Sequence, residues 1–584
     1  MRIVVTLVFA STLAAQIPAT DLRNTYTPNT DTHFAMPEYK TLADWEARRG
    51  ELRRQILLAA GLLPLPEKTP LDPQIFGRLG RDGYTIEKVL LETMPGYYLA
   101  GNLYRPRGRT GKLPAVLKPH GHWNYGRLEN QPLFSGQAIA VNFALQGYVV
   151  FAYDMVGWND TIQTPHAFGS PREQLWSFGP LGLQLWNSIR AVDFLESLPD
   201  VDAKRIGVTG ASGGGTQTFL LTAVDDRLAF SAPVNMISAI MQGGSPCENA
   251  PGLRVGAFNV EIASIMAPRP MMVVSATGDW TRNVPKEEFP AIRRIYELYG
   301  KTGNTDVIQI DAPHNYNQAS REAVYRFFGK HVLGAQEDSS FAEKEVREEK
   351  LQDLMVLHNR TLPAGALSFG QIFEQWQAMS RRQAEGVRDR DTIRERLRLT
   401  IGVQWPKEVL DSVQGEQVVL SRAGKGDRVP GIWMDGRAPA ALVVHPDGAD
   451  AARNSREVRE LKASGRAILL IDAFQTGSAV APRDRSHRFF LTFNRSDDAN
   501  RVQDILTALA FLKSKKPGEI ELVGLDKAAI WSVFAAALAP EKVKLTAATD
   551  SFSGTDQEFL DRFFVPGIQR AGGWKAALDL VAAR

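Results

Sequence analysis

Ser212, Asp279 and His314 have the residue types and the chain order that nucleophilic acyl transfer requires. Ser212 lies in Lys204-Arg-Ile-Gly-Val-Thr-Gly-Ala-Ser-Gly-Gly-Gly-Thr-Gln-Thr-Phe219, where an apolar, β-branched run passes into a helical pattern through G-x-S-x-G. That pattern is a nucleophile elbow, a strand-to-helix turn too tight for side chains at Gly210 and Gly214. It lifts the hydroxyl above the sheet edge at the positive end of the following helix. A serine hydroxyl is a poor nucleophile until an imidazole accepts its proton. A carboxylate must then fix the imidazole tautomer and stabilise the imidazolium. The run Arg269-Pro-Met-Met-Val-Val-Ser-Ala-Thr-Gly-Asp279 reads as a buried strand ending in an acid. After a further helix, Thr305-Asp-Val-Ile-Gln-Ile-Asp-Ala-Pro-His314 reads as a strand ending in a base. His331, the other histidine in this interval, falls within a helical pattern, which leaves His314 as the better base. Glu248, in the loop Gly243-Gly-Ser-Pro-Cys-Glu-Asn249, is the alternative acid.

Acyl transfer also needs donors for the developing oxyanion. One is expected from the backbone N–H of Gly213, directly after the nucleophile. The second is expected from His122 or Trp123, in the loop that follows Leu113-Pro-Ala-Val-Leu-Lys-Pro. His120-x-His122 is also the start of a metal-binding pattern. Zinc hydrolases continue such a pair with Asp-His, however, whereas this chain continues Trp-Asn-Tyr-Gly. No metal is therefore expected. Trp123, Trp158 and Trp280 fall near the site loops and are expected to bind substrate, since flat rigid rings stack on sugar faces. Trp186 sits within the helical pattern 181–198 and reads as core.

These residues require a scaffold of alternating strands and helices. From about Thr85 to Gly334 such an alternation runs, with strands ending near Gly121, Asp154, Gly210, Asn235, Gly278 and Pro313. It predicts a mostly parallel sheet covered by helices on both faces. A charged, helix-prone stretch, 337–390, reads as a linker. The composition is that of a globular protein, 44% hydrophobic and 23% charged, and a net charge of +3 gives no basic footprint for nucleic acid. Residues 1–19 read as a secretory signal, with one basic residue, an apolar stretch and small residues. No other stretch is long enough to span a bilayer. With a single cysteine, Cys247, no intrachain disulfide forms.

Beyond the linker the first pattern recurs in order. Gly61, His120, Asp154 and Gly252 find echoes at Gly402, His445, Asp472 and Gly567, with an offset that shrinks steadily along the chain. The elbow's echo is Leu522-Val-Gly-Leu-Asp526-Lys-Ala528, with aspartate in place of the serine. The repeat reaches Arg584 at the counterpart of Arg269, before strands for an acid and a base. The expected organisation is thus a signal at 1–19, a catalytic domain at 20–336, the linker, and a truncated, non-catalytic repeat at 391–584.

Residues 40–334 resemble the bacterial acetylxylan-esterase-like branch of the α/β hydrolases. The resemblance rests on His120-Gly-His-Trp123, Gly210-Ala-Ser-Gly-Gly214, Gly278-Asp279 and Pro313-His314. It implies an α/β-hydrolase fold followed by a second, truncated hydrolase-like domain. It implies a serine carboxylic-ester hydrolase that needs no cofactor and forms an acyl-enzyme on acylated carbohydrate such as acetylated xylan. The implied partner is a small-molecule or polysaccharide ester, met in the periplasm or outside the cell. Glucuronoyl esterases, a neighbouring group, carry arginine after the nucleophile, where this chain has Gly213. Alternatives within the fold are a general esterase or thioesterase and a serine peptidase. A carbohydrate-binding pseudo-hydrolase would show a damaged triad, and here all three members are in place.

Overall fold

The computed structural model describes residues 16–335 and 341–582. The expected signal therefore lies almost wholly outside the described residues. The chain divides into two compact units. The first takes Pro28–Gln383 and a later segment, Arg488–Asn494, and the second takes the residues up to Thr27 together with Ala384–His487 and Arg495–Arg584.

The first unit is built on nine strands: β1 (Gln74–Gly80), β2 (Tyr84–Met94), β3 (Tyr97–Pro106), β4 (Leu113–Pro119), β5 (Val149–Tyr153), β6 (Val201–Ala211), β7 (Leu228–Val234), β8 (Met271–Gly278) and β9 (Thr305–Pro313). They pair in the order β1-β2-β3-β5-β4-β6-β7-β8-β9. The β1–β2, β2–β3 and β3–β5 pairs are antiparallel and every pair from β5–β4 onward is parallel. Continuous apolar runs such as Val149-Val-Phe-Ala-Tyr153, buried throughout, mark strands covered on both faces. Over one face, helices Gly136–Gln146 and Gln318–Phe328 meet, Phe143 packing edge-on to Tyr325 and stacking on Phe328. Helices Pro180–Ser197 and Gly213–Val224 lie side by side, where Ser188 Oγ donates to Gln217 Oε1 at 3.1 Å. The site residues sit where β4, β6, β8 and β9 end, at the carboxyl edge of the parallel strands, where open α/β sheets bind ligands.

Two boundaries differ from the sequence expectation. Most of the stretch 337–390 is part of the first unit rather than a free linker. Its charges hide an apolar set, Leu354, Val356, Ile372 and Trp376, all buried, and Trp376 Nε1 donates to Trp176 O at 3.0 Å. Residues 20–27 fold with the second unit and not with the catalytic domain, because Arg23 reaches the buried Asp504 at 2.6 Å. The first unit in turn includes Phe493, which stacks on Phe34 with ring centroids 6.1 Å apart. Beside it, Gly252 N and Arg254 N donate to Leu491 O and Thr492 O at 2.8 and 2.9 Å.

The second unit has seven strands: β10 (Val409–Gln414), β11 (Gln417–Arg422), β12 (Val429–Met434), β13 (Arg437–Val444), β14 (Arg466–Ile471), β15 (Ile520–Gly524) and β16 (Lys544–Ala547). Their order, β10-β11-β12-β14-β13-β15-β16, repeats that of β1 to β7. Among the described residues this sheet has no counterpart of β8 and β9.

Candidate active site

At the end of β6 the backbone of Ser212 takes φ 59° and ψ −125°, a left-handed conformation that a non-glycine residue holds only under constraint. The constraint is the close approach of the turn to β4. A Cβ at Gly210 would lie 2.6 Å from Pro119 O and 2.7 Å from the Gly214 carbonyl carbon, and one at Gly214 would lie 2.7 Å from Pro119 O. Gly121 answers from the other side, since a Cβ there would lie 2.8 Å from Ser212 Cβ. Gly213 heads the helix Gly213–Val224, whose first-turn N–H groups have no partner within the helix.

The acid and the base meet. His314 Nδ1 lies 2.7 Å from Asp279 Oδ2. The other carboxylate oxygen accepts from Thr281 N at 2.7 Å and from Thr281 Oγ1 at 2.5 Å, so the acid is held from both sides. With Nδ1–H donating to Asp279, the His314 lone pair is at Nε2, a buried atom with no hydrogen-bond partner. The ring lies beside Trp280, with centroids 4.5 Å apart, and nearly parallel to Trp123 at 6.0 Å. Because Gly121 abuts Ser212 and Trp123 stacks on His314, one short loop spans nucleophile and base. The indole Nε1 atoms of Trp123 and Trp280 are likewise buried without partners.

Glu248 is placed elsewhere. Its Oε2 accepts from Gly244 N and Ser245 N at 2.9 and 3.0 Å, and Thr216 Oγ1 lies 3.5 Å from Oε1. Burial raises its pKa. This carboxylate closes its own loop, while Asp279 engages the base. Trp158, expected to bind substrate, is anchored at its indole edge. Its Nε1 donates to Trp123 O at 3.2 Å, and its ring meets His166 edge-on at 4.5 Å.

His120 is also structural. Its Nδ1 bonds Gly121 O at 2.7 Å and its Nε2 accepts from Met155 N at 2.9 Å, so neither nitrogen is available to a ligand shared with His122. Burial holds its pKa well below the usual histidine value. The same loop is anchored by the buried Arg127, which pairs with Asp154 and with Asp160. His122 turns away from His120. Its ring flanks Gly213, where a Cβ would lie 2.8 Å from the His122 Cε1. Its Nε2 lies 3.2 Å from both His166 Nε2 and Cys247 Sγ. Neither His166, Cys247 nor Thr281 stood out in the sequence as part of a site, since none belongs to a recurring motif there.

A serine on a strained strand-to-helix turn, an acid and a base after two later strands, and a mostly parallel sheet beneath them define an α/β hydrolase. A family model described as acetyl xylan esterase (AXE1) matches residues 84–236. The putative hydrolase YtaP of Bacillus subtilis (strain 168) is 26% identical over 314 residues, which cover 48% of this chain and 99% of that protein. Among solved structures, Methylesterase BT1017 is 33% identical with a TM-score of 0.51, covering 58% of this chain and 75% of its own. The chain belongs to the acetylxylan-esterase-like α/β hydrolases and is a carboxylic-ester hydrolase. Among the described residues no helix is long and apolar enough to cross a membrane.

Proposed function

We propose that Ser212, His314 and Asp279 form a catalytic triad that removes small acyl groups, acetate foremost, from carbohydrate. The observation that carries this reading is the His314 Nδ1–Asp279 contact of 2.7 Å, which leaves Nε2 as a buried base with no protein partner. In the first half-reaction Ser212 Oγ attacks the ester carbonyl and its proton passes to His314 Nε2. The N–H groups of Gly213 and of His122 or Trp123 receive the oxyanion. Collapse of the tetrahedral intermediate breaks the bond to the sugar oxygen, which leaves with the proton from His314. Water repeats the sequence on the acyl-enzyme, giving acetate and free Ser212. Asp279 keeps the ring in the productive tautomer and stabilises the imidazolium without taking the proton. Trp123 and Trp280 place two unpaired indole N–H donors near the base, suited to a hydroxyl or carbonyl of the substrate.

A second reading, cleavage of methyl esters of carbohydrate acids, is favoured by the likeness to Methylesterase BT1017. The two readings differ in which side of the ester is the sugar. The test is product analysis on acetylated xylan and on a methyl-esterified polyuronate, preceded by a p-nitrophenyl ester chain-length series. Acetate release from xylan with a preference for the acetyl ester supports the first reading. Methanol release with no acetate replaces it with the second. A preference for long acyl chains overturns both. The signal-like pattern at 1–19 supports export. N-terminal sequencing of the secreted or periplasmic protein tests that.

A further inference from the structure

Outside the triad, one cluster of side chains is not used by the proposed mechanism. His122 follows β4, His166 lies in the loop after β5, and Cys247 lies in the loop after β7. Their donor atoms, two imidazole nitrogens and one sulfur, lie within 4.8 Å of one another. Both contacts of His122 Nε2, to His166 Nε2 and to Cys247 Sγ, are 3.2 Å. In a tetrahedral zinc site with bonds of about 2.0–2.1 Å to nitrogen and 2.3 Å to sulfur, neighbouring donors stand roughly 3.3–3.6 Å apart. The two contacts of His122 are close to that spacing, and all three donors lie within 4.8 Å of one another.

Hydrogen bonding alone makes at most one of the two 3.2 Å contacts of His122 Nε2 a bond. His166 Nδ1–H donates to Val156 O at 2.7 Å, which puts the His166 lone pair at Nε2. If His122 Nε2 carries a proton, that proton serves either His166 or the sulfur, but not both. If Nε2 carries none, it accepts from the Cys247 S–H, and the two imidazole nitrogens stand 3.2 Å apart with no proton between them. One cation at the centre accepts all three lone pairs at once. The Val156 carbonyl then acts as the outer partner that fixes the tautomer of a ligating histidine. Two imidazoles with one thiolate suit zinc better than the hard cations magnesium or calcium.

We propose that His122, His166 and Cys247 bind a single zinc-type cation, which ties the loop after β4 to the loops after β5 and β7. Both rings are ready as neutral ligands at pH 7, because burial lowers His122 to about 4 and also lowers His166. Cys247 is buried, and burial raises its thiol above the usual range, so binding expels the S–H proton to solvent and strengthens with pH. Ser245 Oγ, 3.3 Å from His166 Nε2 and 3.5 Å from Cys247 Sγ, or a water molecule supplies the fourth position. The consequence falls on the His122 loop, whose ring flanks Gly213 and whose Trp123 lies nearly parallel to His314. The cation is thus a positioning device for the oxyanion side of the site, and its binding does not depend on the triad being correct.

The experiment uses the full chain stripped of metal by dialysis against a chelator, then titrated with Zn²⁺ and, separately, with Co²⁺. The expected results are about one equivalent of Zn²⁺ bound and a higher thermal midpoint on loading. The Co²⁺ form should show a thiolate-to-cobalt band in the near-ultraviolet. Because the chain has a single cysteine, that band reports Cys247 even without a variant. Cys247→Ser should lose the band, and His166→Gln should weaken Zn²⁺ binding by roughly 100-fold, both with native circular dichroism. A wild-type protein that takes up Zn²⁺ with no thiolate band under Co²⁺, or that binds no Zn²⁺, overturns the proposal.

Discussion

The two units carry the same strand order through their first seven strands, yet their elbows have diverged. Ser212 and Asp526 both sit at the strand-to-helix turn with positive φ, 59° and 46°. The second unit thus has the same positive-φ turn with an aspartate where the first has a serine. In the first unit the turn is pressed against the β4 loop, and Gly210, Gly214 and Gly121 are needed for the approach. In the second, Lys527 and Ala528 follow the turn, and Asp526 is exposed. The two strands that carry acid and base in the first unit have no counterpart among the described residues of the second. The fold persists where packing demands it, and the chemistry persists only where three strand ends converge.

The largest expected effect lies at the first elbow. Ser212→Ala should lower ester turnover by about 10⁴-fold or more with the fold intact, and a fluorophosphonate should label Ser212. A label elsewhere would break the comparison at its root. Next comes the acid. Asp279→Asn should lower kcat by roughly 10³–10⁴-fold through the wrong imidazole tautomer, whereas Glu248→Gln should cost about tenfold or less. The reverse ranking would move the acid to the loop after β7.

Stability tests sharpen the description of the units. Phe493→Ala removes a buried ring that stacks on Phe34, and it should destabilise the first unit by about 3–5 kcal/mol in denaturant titrations followed by esterase activity. A neutral result would detach segment 488–494 from that unit. A smaller effect separates Lys118 from its counterpart Val443. Lys118 pairs with Ala152 in the first sheet as Val443 pairs with Leu470 in the second. Lys118 Nζ is buried without a hydrogen-bond partner, and desolvation lowers its pKa from 10.5 to about 7. Between those values the unfolded chain holds a proton that the folded one lacks, so this group makes stability rise with pH from about 7 to about 10.5. Lys118→Met should raise stability at pH 7 by about 1–3 kcal/mol and flatten that rise. A rise that survives the substitution would assign it to other groups. Smallest of all, Asp526→Asn should leave esterase turnover unchanged, and a loss of activity would show that the second elbow still acts.

Much of this was legible in the sequence because it is written locally. The elbow is a run of glycines around a serine, and strands announce themselves by β-branched apolar runs, so Ser212, Asp279 and His314 were found at three strand ends in the right order. The degenerate repeat was legible for the same reason, as short patterns recurring at a slowly shrinking offset. The choice between Asp279 and Glu248 was not, since both follow strands and spacing fits either. Only in the structure is Asp279 seen against His314, with backbone N–H groups occupying Glu248. Nor did the sequence show that the Trp158 indole N–H is bonded within the loop, to Trp123 O.

What the sequence determined by itself was the set of elements, the order in which Ser212, Asp279 and His314 follow strands, and the aspartate at the repeat's elbow. These follow from backbone propensity and from periodicity, which act over a few residues. What only the tertiary structure decided was which distant residues share a space. His122, His166 and Cys247 lie in three separate loops, and Arg23 and Phe493 each join the unit that the linear boundaries assigned to the other half of the chain. Such meetings depend on how packed layers close over long stretches of chain, and no local pattern encodes them.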